Sequence, residues 1–380
     1  YLYLAAGAFR DDDYTAVEND GECGAESTSV TLQNSRYGCS IGNAGSLSLG
    51  RFVPNNFLVS IAANGALTKT CSGSFTYTGQ AMGYGGTSPS LTISAMNGLA
   101  TPSVTKNYAG VFKKLTKAGV AITTPTADGA QNGKDGVTRT ALSALMSAGD
   151  LTGTDGVLTY TLNADDSFTY TRDANALVDG YTSDVRLAVT AVTDGEASAV
   201  GFLPADPIKP TGAPLRFGRL WLGNAYGSDR KPLTLPYQAQ YWNGKAFVKN
   251  ASDGCTSFTS ANIGLDKYKG GVTSSNMGIN RVSVGAISNG EGVVTLSNAG
   301  LPTAGASGSV DLVVNLGAGG SPTNCQSIAD GMTTSAARPW LAGKWCGSDH
   351  DRNPTARATF GISGSSGSQK KTPLYIRESY

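Results

Sequence analysis

Apolar and polar residues alternate with a period of two through much of this chain. The clearest run is Leu233, Leu235, Tyr237, Ala239 and Tyr241 on one face, with Thr234, Gln238 and Gln240 opposite. That rhythm describes a half-buried strand. It leads into Asn243-Gly244, a dipeptide suited to a two-residue type I′ turn, and Ala246-Phe247-Val248 is expected to return antiparallel. The same alternation recurs at Phe57/Val59/Ile61, Phe75/Tyr77, Leu91/Ile93/Ala95, Val185/Leu187/Val189 and Val310/Leu312/Val314/Leu316. Turn signals at Asn64-Gly65, Ser72-Gly73, Gly83–Gly86 and Asn97-Gly98 separate the runs at the spacing of an immunoglobulin-like sandwich. A further strand is expected over Val104–Leu115, and a long surface loop over Thr123–Asp135. The exception is Thr138–Ala148, where Leu142, Leu145 and Met146 share a helical face and predict a short helix.

The pattern predicts an all-β chain of tandem immunoglobulin-like β-sandwich domains. Residues 1–50 hold a few strands and read as part of an incomplete sandwich, because fifty residues bury little on their own. Residues 51–203 form one sandwich and residues 215–380 a second. Between them, 204–214 carries Pro204, Pro207, Pro210 and Pro214, which predicts a stiff linker.

Composition narrows the function. Of 380 residues 50 are Gly and only 15% are charged, which suits short strands joined by tight turns over helical bundles. The net charge of +1 supplies no field for nucleic acid or an anionic membrane surface. No apolar run reaches the roughly 20 residues that span a bilayer. The opening Tyr1–Phe9 lacks a basic region and a cleavage site, so it reads as a strand, and a start inside a strand implies more chain upstream.

Six cysteines, Cys23, Cys39, Cys71, Cys255, Cys325 and Cys346, lie far apart with no CxxC and a single histidine in the chain. That argues against zinc and for disulfides in an oxidising compartment. Sequence proximity favours Cys23–Cys39 and Cys325–Cys346, leaving Cys71 and Cys255 to pair across domains or stay free.

Candidate chemistry is sparse. Asp11-Asp12-Asp13, Asp165-Asp166 and Asp349/Asp351 offer oxygens for Ca²⁺ but lack the spacing of a calcium loop, so they read as turns. Asp349-His350-Asp351 resembles part of a catalytic set, yet no GxSxG elbow or HExxH helix completes it. Gly83-Tyr84-Gly85-Gly86 lacks a P-loop lysine. Four tryptophans, Trp221, Trp242, Trp340 and Trp345, are candidate ligand-facing aromatics, weighed against filling the core or bracing a hairpin. No catalytic residue, metal ligand set or cofactor is assigned.

Several blocks together resemble a known family. Arg51–Phe57 and Cys71–Gln80, then Gly218–Leu220, Asn224–Ser228, Gln240–Gly244, Arg357–Gly361 and Tyr375–Glu378, resemble in order the C-terminal region of large surface proteins of the MshQ type. Those proteins are encoded with the biogenesis genes of a type IV pilus, the mannose-sensitive haemagglutinin. The resemblance implies a secreted, surface-exposed, β-rich protein and brings no catalytic residues with it. The lectin-like domain that larger members carry upstream has no counterpart in these residues.

The expected function is therefore a non-enzymatic extracellular structural protein, associated with pilus subunits or self-assembling into a surface fibre. Tyr1, Leu2, Tyr3 and Leu4 at one end, and Leu374, Tyr375, Ile376 and Tyr380 at the other, are candidates for strand exchange. The alternative is a tip adhesin or carbohydrate-binding module using the tryptophans. A hydrolase around Asp349 and Asp351 is a third, weaker reading.

Overall fold

The structure is a computed structural model that describes residues 2–5, 23–24, 35, 37–38, 46–49, 52–123, 125, 141–201, 207–297, 306–317, 325 and 330–361. It is all-β. Beyond short 3₁₀ turns such as Gly110–Phe112 and Pro339–Leu341, every regular element among these residues is a strand.

The first unit is built on an antiparallel sheet of four strands. Their order is Asp150–Thr154, Val157–Thr161, Ser90–Met96, Asn56–Ala63. Period-two alternation turns Phe57, Leu91, Ile93, Leu158 and Tyr160 inward, while Leu58 faces solvent. The opposing layer is a patchwork. Leu142–Leu145 pairs with Ser167–Tyr170, Val120–Ile122 with Val189–Val192, and Pro214–Arg216 lies between Tyr181–Thr182 and Thr76–Tyr77. Phe168, Tyr170, Leu187, Val189, Ile208 and Leu215 from this layer close the core.

The second unit is a sandwich of two five-stranded sheets. One runs Gly218–Leu222, Leu233–Trp242, Glu291–Leu296, Val282–Val284, with Phe247–Lys249 added to the long strand. The other runs Ala225–Gly227, Thr355–Phe360, Gly308–Val314, Ile263–Gly270, Asp330–Gly331. Leu220, Leu235, Tyr237 and Val294 meet Ile263, Leu265, Leu312 and Ala358 between the layers, all essentially inaccessible.

Four expectations change. Residues 142–145 form a strand, because pairing with Ser167–Tyr170 sends Leu145 to solvent while Leu142 and Ala144 pack on the core. Val104 makes one bridge to Met96, and the chain then curls around buried Tyr108. Its hydroxyl donates to Asp194 at 2.7 Å and accepts from the Leu115 amide at 2.8 Å. The Asn243-Gly244 turn is a four-residue loop between paired Trp242 and Phe247. Only Gly244 has positive φ there, and the Asn243 side chain accepts the amides of Lys245 and Ala246.

The fourth concerns residues 204–214, of which 207–214 are described. They are not a spacer. Ile208 bridges Leu187 and is fully buried, the Thr211 amide bonds the Gly65 carbonyl, and Ala213 is buried beside Ser183. Proline holds a segment extended, and an extended segment with apolar residues can pack as readily as it can span a gap.

Candidate functional site

The two units are joined by an interlocked seam, and that seam brings most of the chain's unusual side chains together. Residues 70–78 belong to the first unit by sequence, yet Cys71, Phe75 and Tyr77 lie in the core of the second. The alternation of Phe75 and Tyr77 makes the strand, and Ser72 and Gly73, both at positive φ, make its tight turn. The Cys71 amide bonds the Phe75 carbonyl, closing the hairpin. Its tip is bonded to the second unit through the disulfide Cys71–Cys255, which links positions 184 residues apart.

Beneath the disulfide lies a buried carboxylate. Asp253 has no accessible surface. Its Oδ2 accepts from the Tyr77 hydroxyl at 2.5 Å and the Thr256 hydroxyl at 2.7 Å, and its Oδ1 accepts the Cys255 and Thr256 amides at 2.9 Å each. The Asn250 amide donates to Tyr77 Oη at 2.9 Å and accepts from Arg216, whose guanidinium lies between the Phe75 and Tyr241 rings. Burial first, and the Asp253 charge second, push the Tyr77 phenol well above its ordinary range, so it stays a donor. Cys71, Asp253 and Cys255 are close enough to hold a metal, but both sulfurs are spent in the disulfide.

A second contact lies along the same seam. Arg172, from the first unit, donates to the carbonyls of His350 (2.6 Å), Ala342 (2.7 Å) and Gly218 (3.3 Å), with its guanidinium 4.2 Å from the Phe217 ring. Burial lowers the Arg172 pKa to about 10. His350 packs its ring against Phe217 and Phe247. Desolvation, then the charges of Arg172, Arg219 and Lys344, lower its pKa from 6.5 to about 4.

Of the Asp349-His350-Asp351 set, the imidazole is buried among these rings and Asp351 pairs with Arg352 at 3.1 Å. The buried imidazole should also make the seam acid-sensitive. A histidine whose pKa is depressed on folding binds its proton in the unfolded chain first, so stability rises with pH between about 4 and 6.5 and is lost as pH falls through that window. The full span is about 3 kcal/mol. Urea denaturation from pH 4 to 7 should show this slope, and His350→Gln should flatten it; an unchanged slope would assign the acid sensitivity to other groups.

The tryptophans are placed unequally. Trp340 packs against the second core with Arg338 above its ring. Trp345 and Phe247 flank the Arg219 guanidinium at 5.1 and 4.0 Å. Trp242 donates its indole N–H to Asp179 of the first unit at 2.9 Å and meets Phe247 edge-on. Trp221 lies on the outer face of its sheet over Gly223, where a Cβ would sit 2.7 Å from the indole. Leu2, Tyr3 and Leu4 pair with Leu47–Leu49, while Tyr1, Leu374, Tyr375, Ile376 and Tyr380 fall outside the described residues. Cys325–Cys346 is bonded as sequence proximity suggests, and Cys71 pairs across the units with Cys255. Cys39 lies outside the described residues, so the Cys23–Cys39 expectation does too. The seam residues Tyr77, Arg172 and Asp253 carried no sequence signal beyond a strand tyrosine, a lone arginine and a turn aspartate.

Among the described residues, fold and seam define an all-β protein with two packed units clamped to one another by an inserted hairpin and a disulfide. Residues 22–207 match the DUF6701, third domain, and residues 216–379 match the DUF6701, fourth domain. These two matches together span nearly the whole chain, which belongs to the DUF6701 family. Among solved structures it is similar to FdeC, an Escherichia coli adhesin, at 12% identity and a TM-score of 0.20, over 69% of this chain and 60% of that one. It is also similar to the adhesin InvE of Yersinia pseudotuberculosis at 11% identity and a TM-score of 0.17, over 68% of this chain and 57% of that one. The chain thus spans under two thirds of the length of either. No curated protein matches it. None of the helices among the described residues is long and apolar enough to cross a membrane.

Proposed function

We propose that this chain is a stiff, force-carrying segment of an extracellular bacterial surface protein, of the MshQ type and associated with a pilus. The observation that carries the reading is the seam. A hairpin of one unit is buried in the core of the next and bonded there through Cys71–Cys255. Flexible tandem domains do not need such a joint, whereas a segment that must keep its shape under load does. The disulfides Cys71–Cys255 and Cys325–Cys346 fit an oxidising exterior. The family resemblance of the blocks from Arg51 to Glu378 points to a pilus-linked surface protein.

Force applied along the chain enters at Cys71 and crosses directly to Cys255, bypassing the residues between them. Pulling the oxidised protein from its two ends should therefore leave the 184-residue loop, and the short Cys325–Cys346 loop, unextended. Removing the long cross-link alone, in Cys71→Ala/Cys255→Ala, should lengthen the fully extended molecule by about 600–660 Å, at roughly 3.3–3.6 Å per residue. Equal contour lengths in both proteins would remove the mechanical reading. Surface labelling of intact cells tests location separately, and an unlabelled protein there would overturn the extracellular assignment.

A further inference from the structure

The outer face of the sheet containing Leu233–Trp242 carries a feature that the joint does not use. Register places its side chains in rows across three strands. Arg219, Gln240 and Lys249 stand in one row, and Trp221, Gln238 and Glu291 in the next. Neighbouring strands are about 4.8 Å apart and residues two apart along a strand about 6.7 Å, so the six side chains cover a patch the size of one or two sugar rings.

The polar members are hydrogen-bonded into one ladder. Arg219 Nε donates to Gln240 Oε1 at 2.8 Å, Gln240 Nε2 to Gln238 Oε1 at 3.0 Å, and Gln238 Nε2 to Glu291 Oε1 at 3.0 Å. Lys249 Nζ closes the line on the same carboxylate at 3.2 Å. Each glutamine commits one N–H and one carbonyl lone pair to the ladder, which leaves each a second donor and a second acceptor. The ladder fixes the orientation of both amides, so those free valences point from defined positions.

Beside the ladder lies an apolar surface. Gly223 leaves room for the Trp221 indole next to Pro236, since a Cβ at 223 would sit 2.7 Å from the ring and 2.8 Å from the proline. Gln238, Gln240, Trp221 and Arg219 are half-buried, and Pro236, Lys249 and Glu291 are exposed. At the other end, Phe217 is covered by Arg172 and His350, so the face is closed at the seam and open over the ladder.

We propose that this open face binds a neutral oligosaccharide, with a pyranose ring stacked on Trp221 and its hydroxyls bonded to Gln238, Gln240 and Glu291. Hydroxyls both donate and accept, which matches amides with one valence of each kind free. Charge favours a neutral partner. An anionic ligand would meet Glu291 at one edge of the patch, and a cationic one would meet Arg219 and Lys249. A ring laid on an indole and fixed by a few oriented polar groups is a shallow, reversible mode of recognition.

The test is an NMR titration of the whole 380-residue chain with cello-, xylo-, manno- and chito-oligosaccharides, following the Trp221 indole N–H and the Gln238 and Gln240 side-chain amides. At least one sugar should shift these signals with a Kd of about 1 mM or tighter. Trp221→Ala should weaken that binding by about tenfold or more. The double variant Gln238→Ala/Gln240→Ala, at solvent-facing positions, should do the same while its melting temperature stays native. Trp340→Ala, away from the patch, should bind as wild type. Shifts from none of the four sugars, or unchanged affinity in both patch variants, would overturn the proposal. So would patch shifts that follow protein concentration alone, since they would assign the face to a second copy of the chain.

Discussion

A chain carrying Cys71→Ala and Cys255→Ala is expected to lose up to about 5 kcal/mol of stability, more than one carrying Cys325→Ala and Cys346→Ala. The first bond closes a loop with a sequence separation of 184. In the chain-entropy description, the cost that such a link removes from folding grows with the logarithm of loop length, reaching about 5 kcal/mol for this loop. Cys325–Cys346 closes only 21 residues, and the same relation gives about 3 kcal/mol. Urea unfolding of the two double-alanine variants should preserve that order. The larger loss should be accompanied by a larger m-value, because the unfolded chain without the long cross-link exposes more surface. The reverse order would mean that local packing around Cys325 and Cys346 outweighs loop entropy.

What the sequence could and could not reveal of this seam follows from the range of the forces involved. Binary alternation is local, so the strand Leu233–Trp242 was legible from Leu233, Leu235, Tyr237 and Ala239 alone. The same alternation at Phe75 and Tyr77 identified a strand but not the core that receives it. Nothing within a few residues of Tyr77 distinguishes a hairpin that packs on its own unit from one that enters the next. The aspartate that accepts the Tyr77 hydroxyl stands 176 residues away. Residues 207–214 were misjudged for a related reason: proline excludes a central strand but leaves an extended segment free to pack, as Ile208 and Ala213 do.

The helix expected over Thr138–Ala148 failed on one side chain. A helix needs Leu145 with Leu142 and Met146, but pairing with Ser167–Tyr170 turns Leu145 outward, to 78% exposure. At Asn243-Gly244 the asparagine serves as an acceptor for two amides and does not enter the left-handed region, which widens the turn. For the outer-face patch, composition named Trp221, and the period of two named Gln238 and Gln240 as a polar face. Their alignment with Arg219 and Glu291 required the strand register, which depends on long-range pairing.

Replacing Asp253 is expected to be the most damaging single polar substitution in the molecule. Its carboxylate receives four hydrogen bonds, from the Tyr77 and Thr256 hydroxyls and from the amides of Cys255 and Thr256, in a site with no accessible surface. Asp253→Ala leaves these donors without an acceptor and opens a void beneath the disulfide. A buried unsatisfied donor costs about 1–3 kcal/mol, and because neighbouring costs do not add fully, the loss should be about 3–5 kcal/mol. Asp253→Asn keeps one oxygen for the two amides and presents an N–H₂ to the hydroxyls, which limits the loss to about 2 kcal/mol. Tyr77→Phe tests the same bond from the first unit. It removes one donor to Asp253 and the acceptor of the Asn250 amide, and should cost about 1–3 kcal/mol. If the carboxylate couples the two units, the double variant Asp253→Ala/Tyr77→Phe should lose less than the sum of the single losses, measured by denaturant unfolding with Cys71–Cys255 intact. Strict additivity would show that the two groups stabilise their own units independently, and that the disulfide and the apolar hairpin hold the seam without them.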